Sequence, residues 1–335
     1  MSLWSEISSQ AQVLGRLVED HARYRPAIDW LGRQSFDHVM IAARGTSDNA
    51  ARYAQYLWGA RKGWLVSLAA PSLYGVYRRP PRLAGALVVG ISQSGESPDL
   101  LSVLEEAKRQ GRPTLSLTNQ PNSPMAALAD CHVDLGAGPE EAVAATKSYT
   151  SQLFALLALS GDRDASFDLL APAVAAVLAS PQAGEVASQA VKEAKRCVVL
   201  GRGFHHATAH EWALKVAELA YLVAQPFSAA DFRHGPLAML EPGLPVLAVA
   251  TAGPAYGDVA DLLGVAREEG APVVAISDVP DCPADFVIPL PPGLPDWLAP
   301  IPAIVAAQIF TYHLTLQRGH DPDRPRGLHK VTRTV

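Results

Sequence analysis

Hydroxyl and amide side chains follow an apolar segment in residues 86–99, Ala-Leu-Val-Val-Gly-Ile-Ser-Gln-Ser-Gly-Glu-Ser-Pro-Asp. The apolar part is typical of a buried strand, and the polar part predicts a loop that opens a helix. The N–H groups and the positive end of a helix attract anions, and four side chains add neutral donors within one turn. These four donors are Ser92, Gln93, Ser94 and Ser97.

This serine-rich loop has neither the lysine of a nucleotide P-loop nor the glycine spacing of a dinucleotide-binding loop. We therefore predict that its ligand is a small phosphate monoester. An ordinary helix N-cap is the alternative, because Ser and Asp are common at that position. Four donors directly after an apolar strand favour the phosphate site.

Three charged residues share one face of a helix predicted over residues 207–224. Glu211, Lys215 and Glu218 are spaced by four and then three positions, which makes them neighbours on a helix surface. Such a ladder is usually a solvated surface, but large apolar residues occupy the other directions here. The pattern favours a charged stripe that lines a cavity, and we expect Glu218 to act as a base near neutral pH.

His234 lies in the polar turn of residues 231–236, Asp-Phe-Arg-His-Gly-Pro. A solvated surface position is the ordinary interpretation of a turn histidine, although histidine is also the side chain best suited to proton transfer near neutrality. The Gly-Pro pair that follows would fix the backbone and hold the imidazole in place. His234 is therefore a second candidate for acid–base chemistry.

The two halves of the chain contain Val-rich segments at a nearly constant offset. The Arg-Gly pair at Arg44 recurs at Arg202, an offset of 158 (202 minus 44). Three pairs of segments match in register: 39–46 with 198–204, 87–92 with 246–250, and 112–119 with 271–278. The nearly constant offset predicts duplicated subdomains, whereas the alternative is the general likeness of any two Val-rich units.

Each half alternates short apolar strands with helical stretches, including a candidate strand at residues 61–68 and a helix at 100–110. Strands that are buried on both faces and joined by helices predict an α/β fold with a doubly wound parallel sheet in each half. Ligands of such sheets bind beyond the carboxyl ends of the strands, where residues 92–97 would lie. The matching loop at 251–254, Thr-Ala-Gly-Pro, lacks the cluster of donors, so we expect one phosphate site per chain.

Composition excludes several classes of protein. The 335 residues are 49% apolar, which is enough for two domains, and a net charge of −5 without a basic stripe disfavours nucleic acid or an anionic membrane as partner. Cys131, Cys197 and Cys282 lie far apart and predict neither a disulfide framework nor a zinc site. With no export signal at the N-terminus and no apolar run of about 20 residues, we expect a cytoplasmic location.

Motifs in order along the chain carry a family resemblance. They are Arg44-Gly45-Thr46-Ser47, Ser92-Gln93-Ser94-Gly95-Glu96-Ser97, Ala144-Ala145-Thr146-Lys147, Ala213-Leu214-Lys215 with Glu218, His234-Gly235-Pro236, and Arg324-Pro325-Arg326-Gly327-Leu328-His329-Lys330. Through them almost the whole chain resembles the sugar isomerase (SIS) domain family, and in particular the isomerase half of glucosamine-6-phosphate synthase.

The resemblance implies a role for each candidate residue. The serine-rich loop would hold the phosphate of a sugar phosphate, and three further residues would contact the sugar. Glu218, supported by Lys215, would move a proton between C1 and C2 through an enediol or enolamine. His234 would assist ring opening from the neighbouring subunit of a homodimer, and Lys330 would reach the carbonyl carbon from the tail. The three sugar contacts are Thr46, Ser47 and the backbone near Val143.

The same resemblance implies that no metal or organic cofactor is needed, because side chains move the proton. It also suggests three parts. Residues 1–165 would contain an N-terminal helix and the phosphate-binding SIS subdomain, and residues 166–318 a connecting segment and the subdomain with the catalytic helix. Residues 319–335 would form a tail that folds over the active site.

Four positions depart from the usual family pattern. Arg44 replaces a cysteine, Arg233 a lysine, Ser97 a threonine and His329 a small residue. None of these changes removes a proposed catalytic group, but Arg44 and His329 are expected to affect which sugar is accepted.

The synthase begins with a glutaminase domain that has an N-terminal cysteine, whereas this sequence begins Met-Ser, so we expect no use of glutamine. The resemblance then favours an isomerising deaminase that converts glucosamine 6-phosphate into fructose 6-phosphate and ammonia. The alternatives are another aldose–ketose phosphate isomerase, a fructosamine-phosphate deglycase, or an aminotransferase half supplied with ammonia from a separate source. A non-catalytic sugar-phosphate sensor is a further alternative.

Overall fold

The computed structural model describes residues 2–161 and 163–330. These residues form two compact units. The first unit contains residues 13–140, 147–161, 163–164 and 329–330. The second unit contains residues 2–12, 141–146 and 165–328.

Each unit is built on one parallel sheet of five strands. The described strands are β1 (His38–Ala42), β2 (Leu65–Leu68), β3 (Ala86–Ser92), β4 (Thr114–Thr118), β5 (Cys131–Asp134), β6 (Arg196–Gly201), β7 (Val223–Ser228), β8 (Val246–Val249), β9 (Val273–Ser277) and β10 (Phe286–Pro289). The order in the first sheet is β2-β1-β3-β4-β5, and in the second it is β10-β9-β8-β6-β7. Read from the opposite edge, the second order repeats the first. The predicted α/β fold with two tandem, doubly wound parallel sheets is therefore confirmed.

Helices connect the strands. The described α-helices are α1 (Leu3–Ser8), α2 (Gln10–Glu19), α3 (Arg25–Gly32), α4 (Thr46–Lys62), α5 (Ser72–Gly75), α6 (Pro98–Arg109), α7 (Pro124–Leu128), α8 (Lys147–Ala158), α9 (Leu170–Leu178), α10 (Gln182–Gln189), α11 (His205–Ala220), α12 (Ala229–Arg233), α13 (Tyr256–Glu268) and α14 (Pro300–Gln317). Short 3-10 helices lie at His21–Tyr24, Ala165–Leu169 and Pro236–Met239.

The cores follow from the apolar strands. All seven residues of β3 are buried, and so are all four of β8, because helices cover both faces of a parallel sheet. In the first unit Val88 packs with Val103 and Leu104 of α6. In the second unit Val246 packs with Leu262 and Leu263 of α13. The strand and the helix that flank the serine-rich loop are thus held by core packing.

Two predicted elements were wrong in their bounds. The helix predicted over residues 207–224 ends at Ala220, because Tyr221 takes a left-handed backbone conformation with φ of 53° and the edge strand β7 starts at Val223. The strand predicted over residues 61–68 begins only at Leu65, since α4 continues to Lys62.

No single helix in the described part of the chain is both long and apolar enough to cross a membrane. One pair, Ala165–Leu178 with Gln182–Gln189, meets that test only when joined across a 56° bend.

Candidate functional site

The serine-rich loop lies at the carboxyl end of β3, where the order of the first sheet changes direction. Strands β1 and β3 are neighbours, with Ala42 paired to Gly90, although β2 lies on the other side of β1. Such a switch point opens a crevice between two loops, and ligands of open α/β sheets bind there. Here the two loops are residues 43–45 before α4 and residues 93–97 before α6.

The backbone of the serine-rich loop is fixed by local contacts. The Ser92 hydroxyl accepts a hydrogen bond of 3.0 Å from the Gly95 N–H. Gly95 has φ of 68°, and its α-carbon approaches Ser123 so closely that a β-carbon would collide with the serine hydroxyl. Glycine is needed there for both reasons. The loop is therefore a shaped turn.

Ser97 occupies the N-cap position of α6 with extended backbone angles. Within the described chain, its hydroxyl makes no capping hydrogen bond to the helix. An N-cap serine usually bonds the N–H groups of the first turn, as Ser123 does at α7 by accepting from Ala126. At α6 the hydroxyl and the helix N-terminus are thus both suited to bind an anion.

The two expected sugar contacts of the first unit lie at the start of α4. Thr46 is half-buried and is the first residue of the helix. Ser47 is buried, and its hydroxyl accepts a hydrogen bond of 2.9 Å from the Gln152 side-chain amide on α8. The structure therefore brings the Thr46-Ser47 pair and the serine-rich loop to the same edge of the first sheet.

Lys330 is held by an acidic residue that the sequence analysis did not identify. Its Nζ donates a hydrogen bond of 3.0 Å to Oε2 of Glu140, whose side chain is completely buried. Glu140 also accepts from Ser148 at the start of α8, at 3.0 Å from the backbone N–H and 2.6 Å from the hydroxyl. An acidic residue just before the Ala-Ala-Thr-Lys motif was the available signal.

Helix α8 connects the lysine with the sugar-contact residues. Ser148 bonds Glu140, and Gln152, one turn further along, bonds Ser47. Residues four positions apart lie on the same helix face, about 6 Å apart along the axis. Lys330 and the start of α4 are therefore both anchored to one face of α8.

The charged stripe of the second unit is an ion-pair network on α11 in which Lys215 and Glu211 are buried and Glu218 is half-buried. Lys215 Nζ lies 2.5 Å from Oε2 of Glu218 and 3.5 Å from Oε1 of Glu211. The side chains of Lys215 and Glu211 are 2% and 0% exposed, and that of Glu218 is 24% exposed. The solvated-surface alternative therefore does not describe this ladder.

The two glutamates of the stripe determine the protonation state of Lys215. Burial acts to lower the pKa of Lys215, but the carboxylates of Glu218 and Glu211 outweigh it and raise the pKa above its ordinary value. Lys215 is thus a permanently charged ammonium group that stabilises the negative charge of both carboxylates. Glu211, singled out only as part of the ladder, is the fully buried counter-charge.

The other two candidates of the second unit lie on loops. His234 is exposed and follows the last residue of α12, and Gly235 takes a φ of 134° directly after it. Val143 is half-buried in the segment of residues 141–146. The second unit therefore contains Lys215 and Glu218 as a contacting pair, while the first unit contains the serine-rich loop, Thr46, Ser47 and Lys330.

The two duplicated parallel sheets, with a serine-rich loop at the switch point of the first and a Glu-Lys-Glu network on a helix of the second, place the chain in a class of tandem α/β proteins. The family model described as "SIS domain" matches residues 34–160 and 190–285. The chain belongs to the SIS domain family.

Curated relatives point to one subgroup. The chain is 33% identical over 315 residues to a protein from Thermococcus kodakarensis named glutamine–fructose-6-phosphate aminotransferase (isomerizing), an alignment covering 88% of this chain and 52% of the relative. A protein of the same name from Pyrococcus horikoshii is 30% identical, with 97% of this chain and 56% of the relative covered. The chain spans about half the length of the curated relatives it matches.

A solved structure agrees with this assignment. The C-terminal domain of glucosamine-fructose-6-phosphate aminotransferase from Francisella tularensis superimposes with a TM-score of 0.85 at 25% identity, covering 96% of this chain and 98% of that domain. The resemblance to the isomerase half of such enzymes, expected from the motifs, is confirmed.

Proposed function

We propose that the protein is a phosphosugar isomerase of the isomerising-deaminase type, which converts glucosamine 6-phosphate and water into fructose 6-phosphate and ammonia. The serine-rich loop, through Ser92, Gln93, Ser94 and Ser97, binds the phosphate. Thr46, Ser47 and the backbone at Val143 contact the sugar. The substrate is a sugar phosphate, and the proposal includes neither nucleic acid nor a membrane as partner.

The observation that carries the proposal is the contact of 2.5 Å between Lys215 and Glu218. Glu218 takes the proton from C2 of the open-chain amino sugar, which gives an enolamine, and returns a proton to C1. The resulting ketimine adds water and releases ammonia, leaving the ketose. Lys215 stabilises the carboxylate while it is charged, as a fixed cation beside a base does.

Lys330 and His234 complete the catalytic set. Lys330, held by Glu140, contributes a primary amine that adds to the carbonyl carbon of the ketose and forms an imine with loss of water; hydrolysis of that imine returns the ketose and the free amine. His234 assists ring opening, and its exposed position suits a residue donated to the site of a second copy in a homodimer. We also propose the division into residues 1–165, 166–318 and 319–335 described above; residues 331–335 lie outside the described structure.

Other activities would use parts of the same set. A simple aldose–ketose isomerase needs only Glu218 and the phosphate loop. A deglycase differs in its substrate, a phosphorylated fructosamine. An aminotransferase half differs in taking up ammonia from a separate source. A sensor needs the phosphate loop but not a buried lysine paired with a half-buried glutamate. The Lys215–Glu218 pair therefore favours an enzyme over a sensor.

The relatives support the subgroup rather than the direction of the reaction. The curated relatives are named isomerising aminotransferases. A structure described as a glucosamine-6-phosphate deaminase from Thermotoga maritima covers 100% of both chains with a TM-score of 0.80, and at 22% identity it supports only the same fold. A chain of this architecture is thus compatible with the deaminase reaction.

The test is to incubate the full chain with glucosamine 6-phosphate and to measure ammonia and fructose 6-phosphate separately. Equal amounts of both are expected. Ketose without ammonia, or no product, rejects the deaminase. The reverse reaction, with fructose 6-phosphate and ammonium chloride, and a parallel assay with a phosphorylated fructosamine distinguish the remaining alternatives.

Glu218→Gln tests the base. The amide keeps the size of the side chain but cannot accept the proton, so kcat should fall by about 10²- to 10⁴-fold. Binding of fructose 6-phosphate should persist, because the phosphate donors are unchanged. Retained turnover would show that another group is the base.

A further inference from the structure

Arg44 contacts a buried carboxylate next to the serine-rich loop. Its Nε lies 2.7 Å from Oδ2 of Asp99, which is in the first turn of α6. The side chain of Asp99 is 1% exposed and that of Arg44 is 51% exposed. The other carboxylate oxygen, Oδ1, accepts from the Leu100 N–H at 2.9 Å. Asp99 thus fixes one nitrogen of a guanidinium whose side chain still reaches solvent.

The negative charge of Asp99 would repel a phosphate bound at the serine-rich loop, and the positive charge of Arg44 offsets it. A phosphate dianion at the N-terminus of α6 would be bound two residues from a buried carboxylate of the same sign, which weakens binding at low local dielectric. Ser92, Gln93, Ser94 and Ser97 are neutral donors and do not offset that charge. The Arg44 guanidinium balances Asp99 and has further N–H groups of the kind that bind phosphate oxygens.

We propose that Arg44 is a phosphate-binding residue that supplies the cation of the serine-rich loop, with Asp99 as its tether. The inference deepens the proposed function and rests on it for the identity of the ligand, a sugar 6-phosphate. The loop that carries Arg44 and the loop that carries the serines are the two walls of the switch-point crevice between β1 and β3. Arg44 is held at Asp99, two residues after Ser97, so we expect one phosphate bound there to contact both loops.

The second unit contains a natural comparison for this pair. Arg202, at the matching position after β6, forms an ion pair with Asp258 in the first turn of α13. The loop beside it, residues 251–254, has none of the serines, and a β-carbon placed on Gly253 would lie 3.3 Å from the Asp296 side chain. The Arg-Asp pair therefore lies beside a serine-rich loop in the first unit and beside a loop without serines in the second.

The experiment compares Arg44→Gln with the matched control Arg202→Gln in the full chain, using titration calorimetry with fructose 6-phosphate, inorganic phosphate and unphosphorylated fructose. Arg44→Gln should weaken binding of both phosphate ligands by about ten- to a hundredfold, the range for a hydrogen bond to a charged group. The dependence of affinity on salt should also decrease. Arg202→Gln should leave both affinities unchanged.

A double variant separates binding from folding. Arg44→Gln leaves Asp99 buried without its cation, so Arg44→Gln combined with Asp99→Asn removes both charges together. If this folded double variant binds fructose 6-phosphate as tightly as the unaltered protein, the proposal is overturned. Equal losses in Arg44→Gln and Arg202→Gln would also overturn it, by showing a purely structural pair. Binding is measured without turnover, so a failure of the deaminase assay does not decide this result.

Discussion

Lys330 Nζ lies 3.0 Å from Glu140 Oε2, and this contact joins the end of the described chain to a residue that is 190 positions earlier. Glu140 is itself fixed through Ser148, so the lysine has a defined anchor at the start of α8. A buried carboxylate with three hydrogen bonds is a rigid acceptor. We therefore expect Glu140 to hold the tail amine in one place.

Glu140→Gln should uncouple the lysine from that anchor. The amide keeps the shape of the side chain but loses the charge, so we expect kcat to fall by about ten- to a hundredfold, with little change in affinity for the phosphate. Lys330 can be followed by borohydride trapping with fructose 6-phosphate and mass spectrometry. Glu141→Gln, at the exposed neighbouring position, is the control. Equal trapping in both variants would contradict the anchoring role.

Gly95→Ala should damage the serine-rich loop. A β-carbon at φ of 68° is strained by about 1–2 kcal/mol, and here it would also collide with Ser123. Gly111 is the matched control, because its φ is 66° and no heavy atom lies within 4 Å of the position that a β-carbon would take there. Affinity for fructose 6-phosphate should fall much more in Gly95→Ala than in Gly111→Ala. Equal losses would mean that backbone strain alone matters.

Much of this fold could be predicted from the sequence because the local sequence patterns agree with the tertiary packing. The serine-rich loop and α6 follow from an apolar strand, a polar turn and Pro98 at the first helical position. The duplication was visible because equivalent segments recur at a nearly constant offset, which is 158 between Arg44 and Arg202 (202 minus 44). These features involve neighbouring residues or a repeated pattern.

The missed features depend on contacts between distant residues. Glu140 was not identified because its partner Lys330 is far away along the chain, and no spacing pattern connects the two. The start of strand β7 was predicted as helix because Tyr221, a residue without a glycine's freedom, ends α11 in a left-handed conformation. Both residues contact partners far along the chain, Glu140 with Lys330 and Tyr221 with Arg326.

Lys215→Met should destabilise the second unit through the carboxylate it leaves behind. Glu211 is completely buried beside the ammonium group, and removal of one member of a buried ion pair costs about 3–5 kcal/mol. Urea unfolding measures the loss. Lys215→Met combined with Glu211→Gln should recover part of it, since the uncompensated charge is removed. No recovery would indicate that packing, rather than charge, dominates.

His205 should make stability depend on pH. Burial lowers its pKa from 6.5 to about 3, with Nε2 at 2.6 Å from the Thr251 hydroxyl. Between pH 6.5 and 3 the unfolded chain binds a proton at this site and the folded chain does not, so stability falls as the pH falls. The slope from this residue is at most about 1.4 kcal/mol per pH unit.

The measurement is the urea midpoint at pH values from 7 down to about 4. Over most of this range the unfolded chain protonates residue 205 and the folded chain does not. His205→Asn should flatten the profile, because it removes the proton-binding difference between the two states. His329→Asn, at an exposed histidine, should leave the profile unchanged. A profile that stays steep in His205→Asn would assign the dependence to other groups.

Tyr221→Phe should release the tail that leads to Lys330. The Tyr221 hydroxyl accepts a hydrogen bond of 2.7 Å from the Arg326 N–H, and the Arg326 guanidinium lies 4.0 Å from the centre of the ring. Phenylalanine keeps the ring contact and loses the hydrogen bond, so trypsin should cleave the tail several-fold faster, with a lower kcat at unchanged KM. Tyr77→Phe, at an exposed tyrosine, is the control.

Tyr221→Gly relieves the left-handed backbone but removes both contacts of residue 221 with Arg326. Trypsin should therefore cleave the tail of this variant fastest, while α11 remains stable. Slow cleavage in that variant would show that the tail is held elsewhere.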